Sequence, residues 1–269
     1  MKIAIIQINA GNDKERNISR ARALVCQAIR QKAKFILLPE TFNFRGKADA
    51  RGGLGSIAEN LPGPSTSPLM EEAKKHKVFI LAGSICERIT GNKKVFNTSV
   101  LIDTRGKIIA RYRKIHLFNA VIGKTKLKES QRFCKGYKTV LSKVDQWTAG
   151  LSICYDLRFP ELYQKYARAG ANVLCVPSSF TKTTGSAHWE ALLRARAIEN
   201  LCYVLAPNQI GKDGCDVASY GNSMVIDPWG KILARASENK EEIIYAYLDK
   251  KVLKKRRKIL PGQAGKTTN

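Results

Sequence analysis

A cysteine, Cys154, lies where an apolar strand turns into a helix in the segment TAGLSICYDLRFPELY. A polar turn follows the cysteine, and Pro160 with Glu161 begins the helix, since proline is favoured at the first helical positions. Such an elbow exposes a side chain at the end of a sheet, near a helix N-terminus. The dipole and free N–H groups there favour a thiolate and can hold a developing oxyanion. A small buried thiol fits the elbow equally well, so this segment alone does not decide.

An acid, Glu40, closes an early apolar run, FILLPE. A carboxylate at the end of a buried strand is costly unless it is used or paired. Ligands of open α/β sheets also collect at the carboxyl ends of the strands. Glu40 is therefore a candidate general base. An ordinary helix-capping or salt-bridged acid would give the same pattern.

A lysine, Lys114, lies between a strand and an apolar patch in RYRKIHLF. A fixed cation beside a thiol could stabilise a tetrahedral oxyanion, although basic runs are usually solvated. His116 is an alternative, because a cysteine and a histidine often form a nucleophilic pair. We favour a structural role for His116.

Strand-like and helix-like segments alternate along the chain, which is typical of an α/β fold. Helices are predicted over 17–32, over Ser67–His76 with Ser67 as its cap, from near Pro160, and over about 186–200. The predicted strands are KIAIIQIN, KFILLPE, VFILAGSIC, FNTSVLID, KIIARYRK, TAGLSIC, NVLCVP, CYVLAP, GNSMVID, KILARA and EEIIYAYL. Many of them are continuously apolar, which indicates sheets buried on both faces. The pattern leaves open two packed sheets or one doubly wound sheet.

The composition excludes several classes of protein. The chain has 269 residues, 44% hydrophobic and 26% charged, which suits one globular α/β domain and argues against disorder. No stretch approaches the roughly 18 apolar residues of a membrane span. The N-terminus enters a strand at once and has no signal-peptide layout, so the cytoplasm is predicted. Seven cysteines without a CxxC pair argue against a disulfide framework or a zinc knuckle.

The net charge is unusual, because 47 Lys and Arg against 22 Asp and Glu leave +25. Such a balance can mark a nucleic-acid binder. The basic residues are spread along the chain apart from a cluster over 250–258, and no nucleic-acid-binding motif accompanies them. We therefore favour a basic surface that attracts anionic small molecules over specific binding of nucleic acid.

The order of the three candidate residues resembles that of the nitrilase superfamily. An acid ends an early strand, a lysine follows in RKIHLF, and a cysteine follows in ICYDLRFPEL. The resemblance runs from KIAIIQIN to EEIIYAYLD. The strings GLSICYDLRFPELY, TGSAHWEALLRARAIEN and GNSMVIDPWG are similar to the Nit-type amidases within that superfamily. It implies a single carbon-nitrogen hydrolase domain over 1–269, with about 250–269 as a basic extension.

The resemblance implies a four-layer αββα sandwich that forms a homodimer or a higher homo-oligomer through helices beside the active site. It also implies a triad of Glu40, Lys114 and Cys154, with Glu129 in KLKESQRF as an assisting acid. Neither a metal nor an organic cofactor is implied. The acid takes the thiol proton, the cysteine attacks the amide carbon, and water hydrolyses the resulting thioester.

The resemblance implies a small primary amide that bears a carboxylate and releases ammonia. Arg158 matches the family's carboxylate-binding position, where a guanidinium can make a bidentate contact. Phe180 and Thr184 match positions of the same pocket, and we group Tyr155 with them. A structural ion pair with Asp156 or Glu161 is the alternative for Arg158.

The segments LLRARAIEN, CYVLAPNQIG and SYGNSMVIDPWG are closer to the branch that hydrolyses deaminated glutathione. The alternative is an omega-amidase acting on alpha-ketoglutaramate or alpha-ketosuccinamate. An N-carbamoyl amine hydrolase and a non-enzymatic nucleic-acid-binding protein are less favoured. The chain ends LPGQAGKTTN, without the arginine-rich aromatic tail common among relatives.

Overall fold

Two β-sheets and five helices make up the fold in the computed structural model, which describes residues 1–47, 53–122 and 125–261. The helices are α1 (Lys14–Arg30), α2 (Ser67–His76), α3 (Pro160–Arg168), α4 (Lys182–Asn200) and α5 (Lys250–Ile259). The strands are β1 (Lys2–Gln7), β2 (Phe35–Leu37), β3 (Phe79–Glu87), β4 (Val95–Ile102), β5 (Ile108–Arg113), β6 (Asn119–Ile122), β7 (Thr125–Lys128), β8 (Phe133–Cys134), β9 (Leu141–Val144), β10 (Trp147–Leu151), β11 (Val173–Cys175), β12 (Tyr203–Ala206), β13 (Ile210–Lys212), β14 (Ala218–Tyr220), β15 (Met224–Ile226), β16 (Ile232–Arg235) and β17 (Glu242–Tyr247). Short 3₁₀ turns cover Leu54–Ser56, Glu129–Gln131 and Cys154–Arg158.

Each sheet has a parallel centre and antiparallel flanks. The first sheet runs β17-β1-β2-β3-β4-β5, with β8 also paired to β4, and its strands β1, β2 and β3 are parallel. The second runs β16-β15-β12-β11-β10-β9, with β10, β11 and β12 parallel. The pairs β6-β7 and β13-β14 form separate hairpins. The carboxyl ends of parallel strands lie at one edge of each sheet, where functional groups collect in α/β folds.

The alternation of side chains along β1 defines four layers, because successive residues of a strand face opposite sides. Ala4 and Ile6 pack in a core with residues of α1 and α2. Ile3 and Ile5 pack in a second core that contains Leu151 and other residues of the second sheet, together with α3 and α4. The order is therefore helices, sheet, sheet, helices. The predicted four-layer αββα sandwich is confirmed.

Side-chain capping corrects the predicted starts of two helices, α1 and α4. The side chain of Asp13 accepts a hydrogen bond from the Arg16 N–H, so α1 begins three residues before the predicted start and ends at Arg30. α2 has the predicted bounds, but Thr66 rather than Ser67 is its N-cap residue. α4 begins at Lys182, because Thr181 caps it in the same way. β9 and the two hairpins were not predicted, since their short segments carry little apolar alternation.

The basic segment after residue 250 is partly integrated with the body. Asp249 caps α5, and Leu253 is 5% exposed within the inter-sheet core. Arg257 donates to the carbonyl oxygens of Leu201 and Ala171. Most other side chains of α5 face solvent. Within the described residues, no helix is long and apolar enough to cross a membrane.

A glycine of β3 permits close contact with the segment that leads to Glu40. A Cβ at Gly83 would lie 1.9 Å from the carbonyl oxygen of Pro39 and 2.3 Å from that of Leu38. Backbone cannot yield as a flexible side chain does, so we expect Gly83→Ala to lower the free energy of unfolding by about 1–3 kcal/mol. Urea denaturation measures this change. Gly11→Ala is the control, because a Cβ there meets nothing within 4 Å; equal stabilities of the two variants would contradict the prediction.

Candidate active site

A buried carboxylate, Glu40, lies three residues beyond the end of β2 and accepts three hydrogen bonds. Its Oε1 accepts from Lys114 Nζ and Asn97 Nδ2, both at 2.9 Å, and its Oε2 accepts from the Ser179 N–H at 2.9 Å. The backbone is held too, because Gln209 Nε2 donates to the Glu40 carbonyl at 2.9 Å. Both oxygens of the carboxylate therefore have fixed positions.

The ammonium of Lys114 lies between two carboxylates. It is 2.9 Å from Glu40 Oε1 and 2.9 Å from Glu129 Oε2, and its side chain is 1% exposed. Glu129 is anchored in turn, because the Phe118 N–H donates to its Oε2 at 2.7 Å. Lys114 follows β5, and Glu129 follows the β6–β7 hairpin, so two separate segments bring the charges together.

The carboxylates keep Lys114 charged despite its burial. Burial alone would lower the pKa of Lys114, but the carboxylates of Glu129 and Glu40 outweigh it and hold the pKa well above its ordinary value. Burial raises the pKa of Glu129, and Lys114 opposes that change. The cluster thus presents a permanent cation at its centre.

The cysteine of the elbow, Cys154, begins the 3₁₀ turn after β10. Its φ of 49° is in the left-handed region, which is strained for a residue with a side chain, and its N–H donates to the Pro177 carbonyl at 3.0 Å. Burial, and next the Glu40 carboxylate, raise the pKa of the thiol well above its ordinary value, with Lys114 acting in the opposite direction. These surroundings therefore favour the protonated thiol, whereas the helix N-terminus of the elbow favours a thiolate.

A buried acid, Asp156, stabilises the elbow by accepting several hydrogen bonds. It accepts hydrogen bonds from the Ile153 N–H at 2.8 Å, the Tyr112 hydroxyl at 2.7 Å and the His116 N–H at 2.9 Å. The His116 ring places Nδ1 2.7 Å from the same carboxylate and stacks on Phe159, with ring centroids 3.6 Å apart. His116 is thus engaged in supporting the turn, which favours the structural interpretation.

The four predicted substrate-binding residues line one pocket beside the thiol. Arg158, Phe180, Thr184 and Tyr155 surround it together with Cys154. The guanidinium carbon of Arg158 is 5.2 Å from the Phe180 ring centroid and 5.9 Å from that of Tyr155. The geometry therefore brings these four side chains to the nucleophile, as the sequence predicted.

The alternative role of Arg158 as a structural ion pair finds no support. Within the described parts of the chain, Arg158 has no carboxylate partner within 4 Å. Asp156 is occupied by the elbow contacts, and the polar neighbour of Arg158 is His188 Nδ1 at 3.3–3.4 Å. Its guanidinium therefore has donors left for an anion.

A cleft of about 210 Å³ adjoins the Arg158 pocket and shares Cys154 with it. Glu40, Lys114, Glu129 and Cys154 all line it. Sequence reasoning missed several of its other lining residues, namely Arg45, Asn97, Lys128, Arg132, Ser179 and Asp213. A signal existed for Asn97 alone, because NTS is a polar interruption within the buried strand FNTSVLID.

The described residues offer no metal site, since nowhere among them do three or more His, Cys, Asp or Glu side chains come together in a way that could hold an ion. The chemistry of the site is instead that of a thiol, a carboxylate and a fixed ammonium. Such a group can attack a carbonyl carbon and hold the negative charge that develops on its oxygen.

The chain belongs to the carbon-nitrogen hydrolase family, whose profile matches residues 2–258. It is 38% identical over 261 residues to the omega-amidase NIT2 of Homo sapiens, covering 97% of this chain and 92% of that protein. It is 39% identical over 269 residues to the deaminated glutathione amidase of Mus musculus, covering 96% and 81% of the two chains. A third relative, the nitrilase and fragile histidine triad fusion protein NitFhit of Drosophila melanogaster, is 40% identical over 262 residues; the match spans 96% of this chain but only 56% of the fusion protein.

Solved structures agree with this assignment. Nit3 of Saccharomyces cerevisiae, a member of branch 10 of the nitrilase superfamily, superposes with a TM-score of 0.87 at 35% identity, covering 99% of this chain and 96% of Nit3. An amidase of Nesterenkonia sp. AN1 that carries acrylamide added at its active-site cysteine superposes with a TM-score of 0.81 at 25% identity, covering 97% and 98%. The resemblance to the nitrilase superfamily is confirmed, and the protein is a carbon–nitrogen hydrolase.

The amide of Asn97 fixes the oxygen of Glu40 that also contacts Lys114. We expect Asn97→Leu to reduce kcat for amide hydrolysis by about tenfold or more, since a hydrogen bond to a charged group contributes about 1.5–3 kcal/mol. KM should change little, because Asn97 contacts Glu40 and does not line the Arg158 pocket. Steady-state kinetics give both constants. Asn239→Leu, which removes an exposed amide outside the site, should leave kcat near the wild-type value; an equal loss in both variants would contradict the positioning role.

Proposed function

We propose that the protein hydrolyses an amide of a small keto acid through a cysteine thioester, with Glu40, Lys114 and Cys154 as the catalytic group and Glu129 assisting. The observation that carries the proposal is the convergence of these four side chains on one cleft, with the Lys114 ammonium fixed between two carboxylates beside the thiol. The family and its amidase relatives support the same chemistry.

Acylation begins with proton transfer from the Cys154 thiol to Glu40, whose carboxylate lines the same cleft. The sulfur attacks the amide carbon, and the carbonyl π electrons move to oxygen. The Lys114 ammonium stabilises that oxyanion without a change in its own protonation. When the oxyanion collapses, the C–N bond breaks, Glu40 returns its proton to the nitrogen, and the amine leaves.

Deacylation repeats these roles with water. A water molecule in the cleft gives a proton to Glu40 and attacks the thioester carbon, and Lys114 again stabilises the oxyanion. The C–S bond then breaks, the carboxylic acid product leaves, and the proton on Glu40 returns to sulfur. The raised pKa of the Cys154 thiol suits this step, because a more basic sulfur readily recovers its proton.

The carboxylate end of the acyl part is proposed to lie in the pocket of Arg158, Phe180, Thr184 and Tyr155, which has a volume of about 20 Å³ and meets the larger cleft at Cys154. A guanidinium with free donors can bind a carboxylate through two parallel hydrogen bonds. The rings of Phe180 and Tyr155 cover its faces and leave its edge available. A keto acid of four or five carbons has its carboxylate and its scissile carbonyl at opposite ends, as this arrangement requires.

The two candidate substrates differ in their leaving group, which refines the expectation of a primary amide. Alpha-ketoglutaramate and alpha-ketosuccinamate are primary amides and release ammonia. In deaminated glutathione the scissile bond is the secondary amide to cysteinylglycine, so an amine that bears a dipeptide leaves instead. The prediction of ammonia release therefore applies only to the omega-amidase alternative. Relatives named for each activity match this chain with nearly equal identity, and we retain deaminated glutathione as the first candidate.

The domain organisation, the oligomeric state and the location of the protein are also proposals. We propose one hydrolase domain over 1–269, a homodimer or higher homo-oligomer, and a cytoplasmic location. The family match over 2–258 and the packing of α5 support the first, and seven free cysteines suit a reducing compartment. A basic nucleic-acid-binding protein would explain the net charge but not the catalytic group.

The nucleophile is tested by a pair of cysteine variants. Cys154→Ala should abolish keto-acid amide hydrolysis, with a loss of roughly 10⁴-fold or more, because no other described group replaces the attacking sulfur. Cys175→Ala should retain most activity, since Cys175 is a fully buried residue of β11. Product formation and circular dichroism are measured for both. Near-normal turnover by folded Cys154→Ala would remove the central assignment.

The acyl pocket is tested by comparing two substrates in each Arg158 variant. Arg158→Ala should lose about 10- to 100-fold in kcat/KM toward alpha-ketoglutaramate, because a charge-assisted contact of about 1.5–3 kcal/mol disappears. Arg158→Lys should recover only part, since an ammonium lacks the planar fork. Toward a short uncharged amide the loss should be much smaller. Equal losses on the two substrates would mean that Arg158 only braces the turn.

A further inference from the structure

We infer that the cleft adjoining the Arg158 pocket is a second, cationic subsite, which binds a carboxylate carried by the leaving amine. The preferred substrates are then keto-acid amides of an amino acid or a dipeptide rather than primary amides. The inference rests on the proposed function for the direction in which the acyl group lies. It adds three residues, Arg45, Lys128 and Arg132, to which the catalytic chemistry assigns no role.

The position of Glu40 fixes where the leaving group points. Glu40 must protonate the departing nitrogen, and it lines the cleft but not the Arg158 pocket. Cys154 lines both. With the keto-acid end at Arg158 and the carbonyl carbon at the sulfur, the nitrogen and any group on it must project into the cleft.

The cleft is larger than ammonia requires. Its volume is about 210 Å³, and on the same measure one water molecule needs roughly 10–15 Å³. Ammonia, which is the leaving group of a primary amide, would fill a small part of this space. The remaining volume suits an amine substituent that extends away from the thiol.

A buried cation forms one wall of the cleft. Arg45 is 6% exposed, its guanidinium donates to Ser219 Oγ at 2.7 Å and Gln209 Oε1 at 3.5 Å, and Asp213 Oδ2 lies 3.6 Å away. That separation is longer than a direct hydrogen bond, and the other described residues provide no further carboxylate within 4 Å. Arg45 therefore keeps donors that can face an anion in the cleft.

Two further cations, Lys128 and Arg132, line the cleft. Lys128 ends β7 and Arg132 follows the 3₁₀ turn that carries Glu129, so both are positioned by the backbone that holds the assisting acid. Both side chains are exposed, and neither forms a salt bridge with a described residue. Apart from Glu40 and Glu129, the cleft has one lining carboxylate, Asp213, to balance these two cations and Arg45.

The charges of the cleft therefore have a direction. The buried cluster holds the carboxylates of Glu40 and Glu129 against the single ammonium of Lys114. The rest of the lining holds buried Arg45 and the exposed Lys128 and Arg132 against one carboxylate, that of Asp213. An amino-acid or dipeptide amine fits this polarity, because its nitrogen would lie at the acidic cluster and its carboxylate at the three cations. A leaving carboxylate at the cluster would be repelled by Glu40 and Glu129.

The test compares deaminated glutathione with its C-terminal carboxamide, which differs only in the charge of the leaving group. The wild-type protein should hydrolyse the carboxylate form with a kcat/KM about tenfold higher or more, since one charge-assisted contact contributes about that factor. The double variant Lys128→Gln, Arg132→Gln should reduce this ratio to about one or two. Both residues are exposed, so the fold should persist, and circular dichroism verifies it.

A matched control removes a charge away from the cleft. Lys75→Gln, on the exposed face of α2, should keep the wild-type ratio, which separates the subsite from the net charge of the protein. Equal kcat/KM values for the carboxylate and carboxamide in the wild-type protein would overturn the inference. An undiminished ratio in the double variant would also overturn it.

Failure of the proposed function would look different from failure of the subsite. If no keto-acid amide is hydrolysed, alpha-ketoglutaramate included, the proposed function fails and the inference fails with it. If alpha-ketoglutaramate and the carboxamide are hydrolysed but the leaving carboxylate brings no advantage, the subsite alone fails.

Discussion

The buried contact between Lys114 and its two carboxylates is the constraint on which the rest of the site depends. An ammonium that is 1% exposed is costly to bury unless it is paired, and it has both Glu40 and Glu129 at 2.9 Å. Removing either acid would leave a buried charge short of a partner. The same three groups that satisfy one another in the free protein supply a base and a fixed cation to the thiol, so the stability of the cluster and its chemistry are inseparable.

The fold brings this cluster together from distant parts of the chain. Glu40 follows a parallel strand of the first sheet, and Cys154 follows a parallel strand of the second. Ser179, which follows β11, donates to Glu40 across 139 positions of sequence. Because the two sheets pack face to face through one core, their functional edges adjoin, and the proposed base from one sheet meets the proposed nucleophile from the other.

The sequence predicted the parts of the site that follow recognisable strands. FILLPE and the Cys154 elbow are apolar runs that end in a reactive group, so Glu40 and Cys154 could be found from the chain alone, and family resemblance added Lys114 and Glu129. Ser179 could not be found, because its importance lies in a hydrogen bond to Glu40 that exists only after long-range pairing, and for Asn97 the sequence offered only the polar interruption within FNTSVLID. Arg45 gave no signal either, since a basic residue in a loop usually faces solvent. Helix boundaries failed where a threonine cap lay outside the apolar pattern.

Asp156 has a mechanical consequence. It belongs to the elbow of the second sheet, yet it accepts hydrogen bonds from Tyr112 and His116. These two residues flank Lys114 in the segment that ends the first sheet. The segments that carry the sulfur of Cys154 and the ammonium of Lys114 are therefore both held by hydrogen bonds to one carboxylate, that of Asp156. If the two sheets move relative to each other, Cys154 and Lys114 would move together. Their alignment for attack would then persist through thermal motion that would disrupt a site without this support.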